Sequence, residues 1–204
     1  MLLGCFTSYA ESSRPGAVKL YSAMKFFTKD LWLDAQNTDP KNDTHLRAKA
    51  ATDAYRAQLD TLRSRLSDAA FQFYRDADVH DGELLELVIA DGSRPAPLSE
   101  PVRPWTTPRN HPVRVKLSVL DALDRLVWRL SYKTVRRVVV DYPTEHPLFY
   151  QDGNGFGDWG HHELTDAGSG FLRHEILFAT GTVLLFEFAE VEVSSAPRSV
   201  AERN

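Results

Sequence analysis

A single cysteine, Cys5, stands among 204 residues, which excludes an intrachain disulfide and any zinc site built from several thiolates. No apolar run approaches the ~20 residues that cross a bilayer as a helix, so the chain reads as soluble and cytoplasmic, with no membrane partner. Neither charge sign dominates: 24 Lys+Arg face 28 Asp+Glu, a formal net charge of −4. Such a balance lacks the field of a general nucleic-acid binder, and no nucleic acid is expected. The common enzyme signatures are missing as well. Gly168-Ser169-Gly170 lacks the spacing of a nucleophile elbow. There is no phosphate-cradling glycine loop ending in lysine, no dinucleotide fingerprint and no helical His-Glu-x-x-His pair, so no cofactor is expected.

What is present begins with a polar stretch. Leu2-Leu3-Gly4-Cys5 has the look of a lipoprotein cleavage box, but nothing basic and no apolar core of ~7–15 residues comes before Cys5. Residues 1–23 therefore read as a leader or disordered arm, with Met24 as the natural start. At the far end, residues 194–204 are polar, contain Pro197 and read as a flexible tail. Between them, residues 24–193 read as one domain, helical over 24–78 and β over 79–193.

In the helical part, Tyr55, Leu59, Leu62, Leu66, Ala69 and Phe73 step by four and three, which lays one stripe along a helix. Asp43 or Thr44 would cap its start, and Ser67-Asp68 would cap a second helix after a break near Leu66. A shorter helix is expected over 29–36, capped by Thr28, with Leu31 and Trp32 inward. From Leu84 the period drops to two. Leu85, Leu87 and Ile89 alternate with polar or smaller neighbours, and Val113, Val115, Leu117 and Val119 with Arg114, Lys116 and Ser118. Residues 126–132, 135–141, 160–165, 171–178 and 182–193 add further strands, with a hairpin across Ala179-Thr180-Gly181. Six prolines over 93–112 make an extended loop. Helices first and strands after, without βαβ alternation, give an α+β fold: a helical half packed on a mostly antiparallel sheet of about six or seven strands.

The densest chemistry is in residues 151–163. Counted from Asp152, Asn154 is third, Gly157 sixth, Asp158 seventh and Glu163 twelfth, which partly matches a calcium-binding loop. Phe156 at the fifth place supplies no oxygen and Pro147 spoils an incoming helix, so a turn without an ion is the expectation. His161, Glu163 and His174 are the candidates for a transition-metal site, although His174 shares the apolar face of Leu172, Ile176 and Phe178, as a structural core histidine would. His80 and Asp81, with Glu163, are the candidate acid/base groups at the join between the two halves. The recognition surface is assigned to Asp152, Asn154, Asp158, Trp159 and His161 together with the proline-rich loop, because long loops on a rigid sheet carry binding. The basic residues Arg125, Arg129, Lys133, Arg136 and Arg137, offset by Asp121, Asp124 and Asp141, read most simply as a solvated face, with a phosphate or acidic-partner surface as the minority reading.

Four motifs carry a resemblance: Met24-Lys25-Phe26-Phe27-Thr28-Lys29 at the opening, the step Val79-His80-Asp81-Gly82-Glu83, Trp159 to Glu163 as an aromatic-and-Glu strand, and His174-Glu175-Ile176-Leu177-Phe178 before a glycine turn. Over residues 24–193 the chain resembles a bacterial family without assigned activity, loosely similar to bacterial immunity-type proteins. That resemblance implies a domain that works by binding a protein partner, as an immunity-like or regulatory module. The alternative is a metal-assisted or acid/base hydrolase built on the His/Asp/Glu groups.

Overall fold

The computed structural model describes residues 24–36, 43–91, 113–142 and 155–198. The readings placed on residues 1–23, on loop 93–112 and on Asp152 and Asn154 lie outside these residues.

Helix α1 (Lys29–Ala35) starts where Thr28 Oγ1 accepts the Leu31 N–H at 3.2 Å, and Asp30 sits at its positive end. Helix α2 (Thr44–Thr61) ends in a 3₁₀ turn, Arg63–Arg65, and Leu66 takes an extended conformation (φ −122°, ψ 144°). Ser67 then caps α3 (Asp68–Asp76) through Ala70 N–H at 3.2 Å. The break resets the helical phase. Ala69, expected in the stripe, is exposed and Ala70 is buried in its place, while Phe73 is buried as expected and Tyr74 joins it.

The eight strands are β1 (Glu83–Asp91), β2 (Val113–Leu120), β3 (Leu126–Val135), β4 (Arg137–Asp141), β5 (Trp159–Gly168), β6 (Phe171–Phe178), β7 (Val183–Phe188) and β8 (Glu190–Pro197). All pairings are antiparallel, so the fold is α+β, but the single sheet of six or seven strands is corrected to two sheets of four. One runs β1-β2-β3-β8 and the other β4-β7-β6-β5. The reason lies at two corners. Residues 126–141 and 183–197 form one ribbon that bends between the sheets, interrupted by Arg136 on one strand and Ala189 on the other. Arg136 N–H donates to Glu187 O at 2.9 Å and Ala189 N–H to Lys133 O at 3.2 Å, so pairing persists through the bend. Thr134, with φ 52°, takes the left-handed turn there, a conformation uncommon outside glycine. A hydrophobic alternation carries through such a corner unchanged, which is why the sequence reads as one layer. The segment read as a tail also pairs: β8 continues to Pro197 against Leu126.

Strand β1 carries a bulge at Leu85, so Leu84 and Leu87, rather than Leu85, reach the core and Ile89 is exposed. The inner faces of both sheets share one core with the helices, in which Tyr55, Leu59, Phe73, Leu117, Leu130, Ile176 and Phe186 are buried. Each such side chain contributes about 1.5–3 kcal/mol on leaving water. The outer face of the β4-β7-β6-β5 sheet has a different cover: Met24, Phe27 and Trp32 pack on Leu177, Ala179 and Val183. No helix among the described residues is long and apolar enough to cross a membrane.

Candidate functional site

The His-Asp-Gly step is a sharp turn that clips β1 to β5. Asp81 N–H donates to Trp159 O at 2.7 Å, and Trp159 N–H returns to Gly82 O at 2.8 Å. A Cβ on Gly82 would run into the Leu120 and Val79 carbonyl oxygens, which is why glycine stands there. Adjacent residues of an extended strand point apart. Here Asp81 has φ 63°, the alternation breaks, and His80 Nδ1 comes within 3.0 Å of Asp81 Oδ1.

The His80 ring also lies 5.0 Å from that of His161, which stacks on Phe27 at 5.2 Å and meets the edge of Trp32 at 5.2 Å. Burial among these rings, with repulsion from His80 added and Asp81 opposing, pushes His161 down to about 4. Trp32 in turn lies flat against Gly160, where a Cβ would collide with its ring.

Beside this turn opens a cleft of about 510 Å³. Its lining brings together Asp81 and Glu83 at the start of β1, Asp121 and Asp124 from the β2–β3 turn, and Asp158 just before β5, with Leu84 and Phe156 as apolar walls. Among the described residues, no lysine, arginine or histidine lines it. Asp121 is buried and accepts the Arg125 N–H at 2.7 Å, while Asp124 is exposed, adopts φ 56° and has Arg198 Nη1 at 3.5 Å. Among the described residues no three His, Cys, Asp or Glu side chains gather as ligands of one ion. No family model, curated relative or solved structure matches this chain.

His162 and His174 face the core. His174 Nδ1 is 2.7 Å from the Tyr132 hydroxyl and 3.5 Å from that of Tyr74, and His174 Nε2 is 3.1 Å from His162 Nδ1. Burial pushes His162 down to about 3 and His174 well below its ordinary value, and each ring disfavours charge on its neighbours. Both are neutral imidazoles at neutral pH, one nitrogen donating and the other accepting. Burial likewise holds the Tyr74 and Tyr132 hydroxyls protonated. Trp159 Nε1, buried in the same cluster, has no hydrogen-bond partner.

Glu163 serves the fold. Its Oε1 accepts Lys25 N–H at 2.6 Å, and Oε2 accepts Phe26 N–H at 2.8 Å and Phe27 N–H at 3.4 Å, although the residue is only 1% exposed. Three donated N–H groups satisfy this buried carboxylate.

The sequence candidates thus divide. His80 and Asp81 come together, and His161, read from sequence as a metal or recognition residue, joins them, but Glu163 is occupied by the N-terminal segment rather than by His80. His161 and His174 lie on opposite faces of the sheet, so the trio His161, Glu163 and His174 does not converge as metal ligands. Asp158 lines the cleft, whereas Trp159, read as a recognition residue, is fully buried, because the strand begins at it and turns it into the core. Calcium-loop spacing fails for the same reason: Glu163 lies on a strand, with both oxygens taken. Glu83, Asp121 and Asp124 were not singled out by sequence, and nothing local marks them. They meet only because β1, the β2–β3 turn and the entry to β5 end at one place.

Proposed function

We propose that this protein acts by binding a basic partner protein, as an immunity-like or regulatory module would, and that the acidic cleft is its recognition surface. One observation carries the reading: five carboxylates from three separate segments line one concavity, and no lysine, arginine or histidine is among its described lining residues. They do not close on a single ion. A negative field spread over a cleft of this size is complementary to several lysine or arginine side chains, and it steers such a partner from a distance. The rigid sheets behind it fix the spacing of those charges, as a specific binding site requires.

The test uses a fluorescent octalysine peptide as probe and the triple substitution Asp81→Asn, Glu83→Gln, Asp124→Asn. Asparagine tolerates the left-handed backbone at 81 and 124 as aspartate does. The native protein is expected to bind the peptide with strong salt dependence, and the variant to lose affinity at least tenfold with its melting temperature kept. Equal binding by the two proteins rejects the proposal.

Acid/base hydrolysis is a second reading with one observation behind it, the 3.0 Å approach of His80 Nδ1 to Asp81 Oδ1 beside the cleft. It requires hydrolysis of a p-nitrophenyl ester or phosphate that disappears in His80→Gln; turnover unaffected by that change ends it.

A further inference from the structure

The strand register places a row of side chains across the outer face of the second sheet: Arg137 on β4, Glu187 on β7 and Arg173 on β6 are direct cross-strand partners. Side chains in such a row lie on one face, with neighbouring strands ~4.8 Å apart. Arg136, at the corner between the sheets, joins them. Glu187 is 6% exposed by its side chain, and its two oxygens are already filled. Oε2 accepts Arg136 Nε at 2.8 Å, and Oε1 accepts both Nε and Nη2 of Arg173, at 3.1 and 2.7 Å. Burial opposes ionisation of Glu187, but the two guanidiniums outweigh it and hold the carboxyl below its ordinary value.

The third arginine is therefore surplus. Arg137 Nη1 stands 3.7 Å from Glu187 Oε1, beyond hydrogen-bond reach, and among the described residues its guanidinium donates no other hydrogen bond. Its backbone is pinned opposite Glu187 by the ladder, so it cannot simply move away from the other two cations. Three permanent positive charges around one carboxylate leave a net charge of about +2, on side chains 36 to 40% exposed. Arg136 is further fixed by stacking over Phe171 at 4.2 Å and by donating to Ala167 O at 3.0 Å. A structural ion network needs no third guanidinium without a hydrogen bond. A tetrahedral dianion supplies what this cluster lacks: two negative charges and several acceptor oxygens for the unused N–H groups of Arg137 and its neighbours.

We infer that Arg137, Arg173 and Arg136 form a binding site for a dianionic phosphoryl group on the face of the β4-β7-β6 strands, separate from the acidic cleft and independent of its function.

Phenyl phosphate and inorganic phosphate serve as probes at pH 7.5, followed through the arginine Nε–Hε resonances of the full chain, with sodium chloride at matched ionic strength as the blank. Both anions are expected to shift Arg137 and Arg173 saturably where chloride does not. Preference for one over the other distinguishes a phosphate ester from free phosphate. Phenyl phosphate binding is expected to weaken roughly fourfold at pH 5.5, because the dianion fraction falls by about that much around a second pKa of ~6 while arginine keeps its charge. Arg137→Gln, which removes no hydrogen bond, is expected to leave the melting temperature unchanged and weaken binding at least fivefold. Shifts reproduced by chloride, or native affinity in Arg137→Gln, would overturn the inference.

Discussion

His162 Nδ1 and His174 Nε2 face each other at 3.1 Å across the β5–β6 pair, and the far nitrogen of His174 is closed by the Tyr132 hydroxyl at 2.7 Å. The second sheet thus carries two imidazoles on its core face, and they are stable there only while neutral.

Acid is expected to unfold the protein through these rings. His161 and His162 are depressed to about 4 and about 3, and His174 also lies well below its ordinary value. The unfolded chain binds these protons from about pH 6.5 downward and the folded chain does not, so stability is fully present above that pH and falls below it. At pH 5 His161 and His162 each remove about 2 kcal/mol, from ~1.4 kcal/mol per pH unit, and His174 acts in the same direction. Urea denaturation should show proton uptake on unfolding that rises from about 1.5 at pH 6.5 toward three at pH 5. An uptake below one contradicts this account.

Removing the tyrosine hydroxyl tests the same cluster from the other side. Tyr132→Phe leaves His174 Nδ1 with only the distant Tyr74 hydroxyl, at 3.5 Å, and is expected to cost about 1–3 kcal/mol. The ¹⁵N shifts of the His174 ring should move with it, while those of the exposed His80 should not.

Glu163→Ala is expected to release the N-terminal segment before the rest of the fold. It strips the acceptor from the Lys25, Phe26 and Phe27 N–H groups, at about 1–3 kcal/mol for each donor left buried. Faster amide exchange at these residues and a red-shifted Trp32 emission, with the core of β6 and β7 still protected, is the expected pattern. Uniform loss of protection would mean that the segment is part of the global folding unit.

Gly160→Ala should destabilise by about 1–3 kcal/mol, because the added methyl meets the Trp32 ring. Trp32→Leu in the same chain should recover part of that loss, since the smaller side chain leaves room for the methyl. Additive losses in the double variant would place the strain elsewhere.

Periodicity by itself determined most of the local structure. Thr28 and Ser67 cap helices, Leu66 marks the break, and the parity of Leu172, His174, Ile176 and Phe178 puts that histidine in the core, because caps and alternation act over a few residues. The division into two sheets was hidden, since Arg136 and Ala189 each interrupt a strand by one residue without disturbing its alternation.

Which polar groups meet was decided by tertiary structure alone. Glu163 ties to Lys25 from 138 residues away, and Arg137, Arg173 and Glu187 align only through the ladder. The carboxylates of the cleft come from three separate segments. A sequence fixes the face on which a side chain stands, but the charge gathered at one point depends on which strands lie side by side, and that is set by the packing of the whole core.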